Sequence, residues 1–412
     1  MPPRSYPKSI IISSPNYANI KNQILFLKDK PQPEQRTKEW YEYRHNLITA
    51  SNAYKAFENQ TVQNQLIYEK CQPLNKNLFV VDNNTDKEKE IVMVNTNSTL
   101  HWGQKYEPLS VKIYENMFET KIEEFGCIQH EKYKFIGASP DGINVDSNSK
   151  RYGRMLEIKN IVNREITGIP KKEYWIQMQL QMEVCNLNEC DFLETKFIEY
   201  PDYETYKDDT SVELYEDEDG NDFKNECLSK DDKMKGQIVY FHTKEGVPFY
   251  KYMPLDLIHH EDISKWMEKT IDYYEGNDFN YIYIKTIFWK LECLSCVLVC
   301  RNKHWFNNNV IYLKEIWDTI EKERISGYEH RAPNRRQKDP NVKANANVVE
   351  EQKSEGCLLQ FNKNSGKITI VKKETTEATT SEVTTSEVTT SEVTITKTTS
   401  DISDLKDIKL NI

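Results

Sequence analysis

The chain has 412 residues, 38% of them hydrophobic, with 55 Lys and Arg against 65 Asp and Glu, so its formal net charge is −10. That length holds one large domain or two smaller ones, and the mean hydropathy of −0.76, with no apolar run near the roughly 20 residues of a membrane span, argues against a membrane protein. Nine cysteines without paired spacing suit a reducing compartment, cytoplasmic or nuclear, and the opening residues carry no signal-peptide core, Ile10-Ile11-Ile12 being too brief for secretion.

Residues 1–34 read as an N-terminal extension with a short helix around 20–27. The block that follows, Trp40-Tyr41-Glu42-Tyr43-Arg44-His45-Asn46-Leu47-Ile48-Thr49-Ala50-Ser51, places Arg44 and Ser51 seven residues apart. That is two turns if the segment is helical throughout. Alternatively Thr49 or Ser51 caps a helix over 52–57, whose N-terminus would itself attract phosphate. Arginine offers a fork of donors matched to phosphate oxygens; a surface arginine beside an ordinary cap is the plainer reading. Residues 102–118 predict a helix, with Trp102, Tyr106, Leu109, Ile113 and Met117 as its apolar stripe and Glu107 beside that stripe. Residues 121–130 and 133–138 predict strands.

Next comes Ser139-Pro140-Asp141-Gly142, then the apolar run Ile143 to Val145, a polar turn-forming linker over 146–153, and the run Met155 to Ile158. The pattern predicts a β-hairpin centred near residue 149, with Asp141 across from 157–159. Strand side chains alternate, so Glu157 and Lys159 share one face while Leu156 and Ile158 share the other. Two close carboxylates repel unless a proton or cation lies between them. Mg²⁺ takes such hard oxygen ligands, and Lys159 is placed to steady negative charge developing at a phosphoryl group. A surface hairpin with an ordinary Glu/Lys pair is the alternative. A second helix opens at Tyr174, with Ile176, Leu180, Val184 and Leu187 buried and Tyr174, Gln177 and Gln181 on an adjacent polar face; residues 191–200 predict a further strand.

The negative charge is concentrated. Residues 201–223 hold ten acids against Lys207 alone, a local −9, so the remainder is nearly neutral. DNA binding needs a local basic surface rather than a positive total. This acidic loop is expected to be solvated and flexible. Asp217-Glu218-Asp219-Gly220 loosely follows a calcium loop, but the first ligand position falls on Tyr215, which cannot serve. Residues 237–242 and 247–252 predict a strand pair, and helices follow at about 261–275 and 309–325. Cys293, Cys296 and Cys300, with His304, invite a zinc or iron–sulfur reading, yet their helix-like spacing amid apolar residues favours buried free thiols. Arg331, Arg335, Arg336 and Lys338 form a loose basic cluster, read as a solvated linker ahead of a nuclear address or DNA-grazing tail. Thr-Thr-Ser-Glu-Val repeats three times from Thr379, a tract unable to bury a core and expected to be disordered.

Taken together, Glu107, Ser139-Pro140-Asp141-Gly142, Glu157-Ile158-Lys159, Tyr174-x-x-Gln177-x-Gln179 and the Trp40 to Ser51 block stand in an order that resembles the PD-(D/E)xK nucleases, more narrowly the lambda-type exonucleases of the YqaJ-like viral recombinase family. The resemblance covers residues 35–200. It implies an α/β fold with a restriction-endonuclease-like core, a mixed central sheet flanked by helices. It also implies a Mg²⁺-dependent deoxyribonuclease, Mn²⁺ being a possible substitute, that degrades duplex DNA 5′ to 3′ from its ends in recombination or repair. On that resemblance Asp141, Glu157 and the carbonyl of Ile158 are metal ligands; Glu107 positions metal-bound water, Lys159 acts on the attacking water and Gln177 orients it. Arg44 and Ser51 hold the 5′ phosphate, and Ser139 touches the scissile region. One departure is Asn46 where the family often has glycine; Asn tolerates the left-handed conformation better than most residues. Implied partners are double-stranded DNA ends, a single-strand annealing protein and, as a ring-shaped trimer, further copies of the chain, with no membrane involved. An endonuclease of the same fold and a catalytically inactive end-binding scaffold are the rivals.

The expected organisation is an N-terminal extension (1–34), the nuclease core (35–200), the acidic loop (201–223), a C-terminal α/β extension packed on the core (224–330) and a disordered tail (331–412). The repeat and the Asn/Lys/Ile/Tyr-rich composition fit an AT-rich genome such as that of a large DNA virus, and hence a virus-infected cell.

Overall fold

A computed structural model describes residues 17–33, 35, 37–74, 94–216, 220, 222–244, 246–276, 281–333, 359–362 and 367–370. The helices are α1 (Tyr17–Asp29), α2 (Lys38–His45), α3 (Ala50–Ala53, continued by a 3-10 turn, Tyr54–Phe57), α4 (Gln60–Cys71), α5 (Thr99–Phe118), α6 (Lys172–Cys185), α7 (Tyr203–Asp208), α8 (His260–Gly276) and α9 (Lys303–Ser326). The strands are β1 (Ile48–Thr49), β2 (Ile122–Glu123), β3 (Ile128–Gln129), β4 (Ile136–Ala138), β5 (Gly142–Asn144), β6 (Met155–Asn160), β7 (Glu189–Glu199), β8 (Leu214–Glu216), β9 (Asp222–Lys224), β10 (Lys235–His242), β11 (Pro248–Tyr252) and β12 (Ile282–Cys300).

Seven strands form one mixed sheet in the order β11-β10-β12-β7-β6-β5-β2. Only β6 and β7 run parallel among its neighbours, and α6 provides the crossover that a parallel pair requires. Strands β5 and β6 form the expected hairpin, with Gly142 opposite Leu156 and Ile143 opposite Met155, which centres the turn on residue 149. Gly153, at φ +78°, closes that turn, a conformation that glycine adopts without steric cost. Gly142 is required for another reason: a methyl group there would collide with Cγ2 of Ile122 on β2. The first four residues of β6 are buried, as expected of a strand covered on both faces.

Helix α5 lies against one part of the sheet through Tyr106, Leu109, Ile113 and Tyr114, all 0% exposed. Tyr106 stacks on Phe197 of β7 at 4.4 Å between ring centroids, a contact worth about 1 kcal/mol beyond its buried area. Met117, read as part of that stripe, is instead exposed; Tyr114 takes the inward position one helical step earlier. Helix α6 buries Ile176, Leu180, Val184 and also Met178, Gln179, Gln181 and Met182, so it runs through the core rather than along its edge. A smaller sheet, β1-β4-β3, packs beside it.

Residues 235–300 supply three strands to the same sheet, and β12 pairs with β7 along nearly the whole of the latter. Cys293, Cys296 and Cys300 therefore lie on a strand, not a helix, and Cys293 is exposed. The described part of the acidic segment is more ordered than expected. Asp202 caps α7 by accepting from the Thr205 N–H at 2.8 Å, Asp209 accepts from Tyr200 Oη at 2.6 Å and pairs with Lys290, and β8 and β9 form a hairpin. Asp217-Glu218-Asp219, on which the calcium reading rests, lies outside the described residues. Arg331 belongs to a 3-10 turn and pairs with Glu323, so it is no part of a free basic cluster; Arg335, Arg336, Lys338 and the Thr-Thr-Ser-Glu-Val repeats lie outside the described residues. No helix among the described residues is long and apolar enough to cross a membrane.

A second unit, residues 333–405, is distinct from the first. Its described strands, β13 (Leu359–Asn362) and β14 (Lys367–Ile370), pair antiparallel, within the stretch read from sequence as a disordered tail.

Candidate active site

The β5–β6 hairpin brings the first group of candidate residues together. Asp141 immediately precedes β5, and its Oδ2 accepts the Ile158 N–H at 2.7 Å. Glu157 is completely buried. One of its oxygens pairs with the Lys159 ammonium two residues on, and the other accepts from Gln181 Nε2 of α6 at 2.6 Å. The Lys159 ammonium also stands 5.0 Å over the Tyr174 ring. From α5, the charge of Glu107 reaches Asp141. Burial, followed by Glu157 and Glu107, pushes Asp141 well above the usual carboxylate range, against the pull of Lys159 and the Ile158 N–H. Burial alone would lower Lys159, but the Glu157 and Asp141 carboxylates outweigh it and hold the amine above its ordinary value.

This is a site crowded with carboxylates and compensated by one ammonium. The repulsion that drives a proton toward Asp141 would be relieved by a cation, and the oxygens present are those a hard divalent ion accepts. Among the described residues no three His, Cys, Asp or Glu side chains are disposed to hold an ion. A cation between Asp141 and Glu157 would thus complete its shell with backbone oxygen, water or substrate, and the cysteines of β12 form no metal cluster among the described residues.

The glutamines of α6 divide differently from expectation. Gln177 is half-buried, one turn before Gln181 on the same polar face, and its side chain makes no hydrogen bond among the described residues. Gln179 turns away: its Nε2 donates to the Cys300 carbonyl at 3.0 Å, and its Oε1 accepts the Asn302 N–H at 2.5 Å, tying α6 to the start of α9. Gln181, which the sequence placed on the polar face without a role, is the residue that holds Glu157. The signal was its spacing of four from Gln177.

The second group assembles around Arg44, in the last turn of α2. Its guanidinium covers the Trp40 ring at 4.2 Å, Nη1 donates to Ser139 Oγ at 3.2 Å and Nη2 to Ser51 Oγ at 3.3 Å. Thr49 Oγ1 lies 3.3 Å from Ser51 Oγ. Arg44, Ser51 and Ser139 thus converge, but not on one helix: α2 ends at His45, β1 intervenes, and Ser51 lies in the first turn of α3. Thr49 occupies the N-cap position of α3 without a side-chain capping bond. Asn46 adopts φ −89°, so replacing glycine there calls for no left-handed backbone. Ser139 joins the two groups. It lies two residues before Asp141, and its carbonyl accepts from Gln181 Nε2 at 3.4 Å.

Two cations behind Arg44 were not legible in the sequence. Lys70 of α4, only 8% exposed, donates to the Arg44 carbonyl at 2.7 Å. Arg324 of α9 donates through Nη2 to the carbonyls of His45 at 3.0 Å and Lys70 at 2.8 Å, and through Nη1 to Asn46 Oδ1 at 3.0 Å. Burial, then Arg44 and Arg324, lowers Lys70 to about 7; burial, then Arg324 and Lys70, lowers His45 to about 4.

With this geometry established, comparison with known proteins locates the chain. Residues 39–188 match the YqaJ-like viral recombinase domain. An uncharacterised protein of Acanthamoeba polyphaga mimivirus is 30% identical over 340 residues, covering 76% of this chain and 57% of that protein; the chain therefore spans little more than half the length of this curated relative. Among solved structures, an alkaline exonuclease from Laribacter hongkongensis aligns over 72% of this chain and 98% of its own at 16% identity, with a TM-score of 0.37. A phage-related exonuclease from Haemophilus somnus aligns over 68% and 93% at 12% identity, with a TM-score of 0.30.

Proposed function

We propose, from the YqaJ-like viral recombinase domain carried by residues 39–188, that the chain is a divalent-metal-dependent exonuclease that degrades duplex DNA from a 5′ end during recombination or repair. The observation that carries this reading is the convergence of Asp141, Glu157 and Lys159, joined through Ser139, two residues before Asp141, to a pocket of Arg44, Ser51 and Ser139. One group suits hydrolysis of a phosphodiester; the other suits a terminal phosphate.

Asp141 and Glu157, with the Ile158 carbonyl, would hold Mg²⁺, or Mn²⁺ in its place. When bound, such an ion polarises a phosphoryl oxygen and acidifies water. The chain's own residues do the rest. Gln181 locks the Glu157 carboxylate in one rotamer by its 2.6 Å bond. The Lys159 ammonium, anchored by Glu157, faces the phosphoryl group as negative charge builds on its oxygens. Glu107 and Gln177 orient the attacking water, Gln177 through a half-buried amide that has no hydrogen-bond partner among the described residues. Arg44 receives the terminal phosphate with the Ser51 and Ser139 hydroxyls, fixing how far the strand enters and hence which bond meets Asp141.

Purified protein incubated with linear duplex labelled at either the 5′ or the 3′ end tests this. The expected result is Mg²⁺-dependent release of label from the 5′ end first, abolished by EDTA, with covalently closed circles left intact. Closed circles cut as fast as linear DNA, or release beginning at the 3′ end, would contradict it.

A further inference from the structure

We infer that Glu194 is a positioning residue of the hydrolytic site, a second carboxylate that takes up the Lys159 ammonium when a divalent cation draws on Glu157. This rests on the metal-dependent reading of the Asp141–Glu157 pair and deepens it with a residue outside the matched domain, which ends at residue 188.

The placement follows from the sheet. Strands β6 and β7 run parallel, with Lys159 opposite Glu194 and Glu157 opposite Phe192, so these paired side chains emerge on one face. Neighbouring strands lie about 4.8 Å apart, a gap that a lysine side chain spans. The Tyr174 ring of α6 marks the same place. Lys159 stands 5.0 Å from its centroid, and Arg164, the ion-pair partner of Glu194, stands 5.8 Å from it. Lys159 and the Glu194–Arg164 pair thus share one aromatic ring.

Glu194 is only 1% exposed, and Arg164 holds just one of its oxygens. The other, Oε2, is buried with no hydrogen-bond partner, and it is the only carboxylate oxygen in that condition among the described residues. Ser295, opposite Glu194 on β12, does not bond to it. Asp191, as deeply buried on the same strand, accepts from Tyr114, Arg151 and Arg154. A buried acceptor left unpaired is costly and calls for a donor. The donor that faces Glu194 in register is Lys159. Its ammonium is paired with Glu157, whose second oxygen is taken by Gln181. A cation bound by Glu157 would therefore compete with the ammonium for one oxygen, and the like charges would repel. Glu194 Oε2 offers the ammonium a further anchor on the same face, one that keeps it beside Tyr174 and within the site.

Isothermal titration calorimetry of Mn²⁺ into the full chain, without DNA, tests this apart from activity. Glu194→Gln, which keeps the shape and an acceptor for Arg164, should weaken Mn²⁺ binding about tenfold, the lower end of what is lost when a residue behind a metal ligand is removed. In a Lys159→Met background, with no ammonium to hold, Glu194→Gln should cost at most about twofold. Arg164→Met leaves Glu194 to Lys159 and should leave Mn²⁺ affinity unchanged or raised. A role confined to the Glu194–Arg164 pair would make Arg164→Met and Glu194→Gln weaken binding alike. Equal losses with and without Lys159, or a loss in Arg164→Met that matches Glu194→Gln, would overturn the inference. Should Glu194→Gln melt too low to titrate, Mn²⁺-soaked crystals of the parent decide. Lys159 Nζ should then lie within hydrogen-bond distance of Glu194 Oε2, and an ammonium still held by Glu157 alone would overturn the inference. A parent that binds no Mn²⁺ removes the metal-dependent reading together with this inference. A parent that binds Mn²⁺ but shows additive losses leaves that reading standing and removes the inference alone.

Discussion

Replacing Gln181 with methionine isolates the part of the site that sequence reasoning passed over. The side chain keeps its length and loses the donor that reaches Glu157 at 2.6 Å. Glu157 is 0% exposed, so water cannot substitute, and one carboxylate oxygen is left without a partner. A hydrogen bond to a buried charged group contributes about 1.5–3 kcal/mol. Against this, Gln181 Oε1 is itself buried without a partner, and removing it recovers about 1 kcal/mol. The net expectation is a loss of about 0.5–2 kcal/mol in urea-melt stability. Activity should fall about 10- to 100-fold, the usual effect of removing a group that orients a metal ligand. The loss should appear as a higher Mg²⁺ concentration for half-maximal rate, with DNA binding in EDTA unchanged. Gln177→Met is the control. Gln177 is half-buried and unbonded, so stability should stay within about 0.5 kcal/mol while the rate falls. A Gln181→Met protein with unaltered stability and unaltered Mg²⁺ dependence would refute the reasoning.

Asp141→Asn should abolish digestion while matching or exceeding the parent in urea melts at pH 7, because it keeps an acceptor for the Ile158 N–H and removes one of the crowded charges. Asp141→Ala should melt about 1–3 kcal/mol lower than the Asn variant, since that N–H is then orphaned. Lys70 titrates at about 7 when folded, against an ordinary 10.5, so between these values the unfolded chain binds the extra proton and parent stability rises with pH. Lys70→Met lacks that dependence. Its stability relative to the parent should improve by up to about 1.4 kcal/mol per pH unit as pH falls from 10 toward 7 and level off below; a difference that is flat across this window in denaturant melts would contradict the assigned burial. Gly142→Ala forces a methyl against Ile122 and should cost about 1–3 kcal/mol, read by the same melts.

The β5–β6 hairpin was legible because a period of two assigns faces and a polar linker sets the turn; the register of Gly142 with Leu156 follows from both. Arg44, Ser51 and Ser139 were legible as a set only through the family resemblance, since β1 interrupts the helix that their spacing allowed. Which α6 glutamine faces Glu157 depended on how that helix threads the core, and no helical pattern discriminates among residues 177, 179 and 181 when nearly every side is buried. The cysteines within residues 291–300 have helix-like spacing, but short apolar runs carry no decisive period; pairing with β7 makes the run a strand. The order in the described part of residues 201–223 comes from local caps and from Lys290, about 80 positions away in sequence, and Arg324 lies 254 positions from Lys70, beyond the reach of any local motif.

Anomalous diffraction from crystals soaked in Mn²⁺ addresses the site most directly. A single strong peak in contact with both the Asp141 and Glu157 carboxylates, lost in Asp141→Asn, is the expected result. Saturating Mn²⁺ that leaves no density between these two side chains, or that settles elsewhere on the protein, would contradict a metal-dependent nuclease centred on this hairpin.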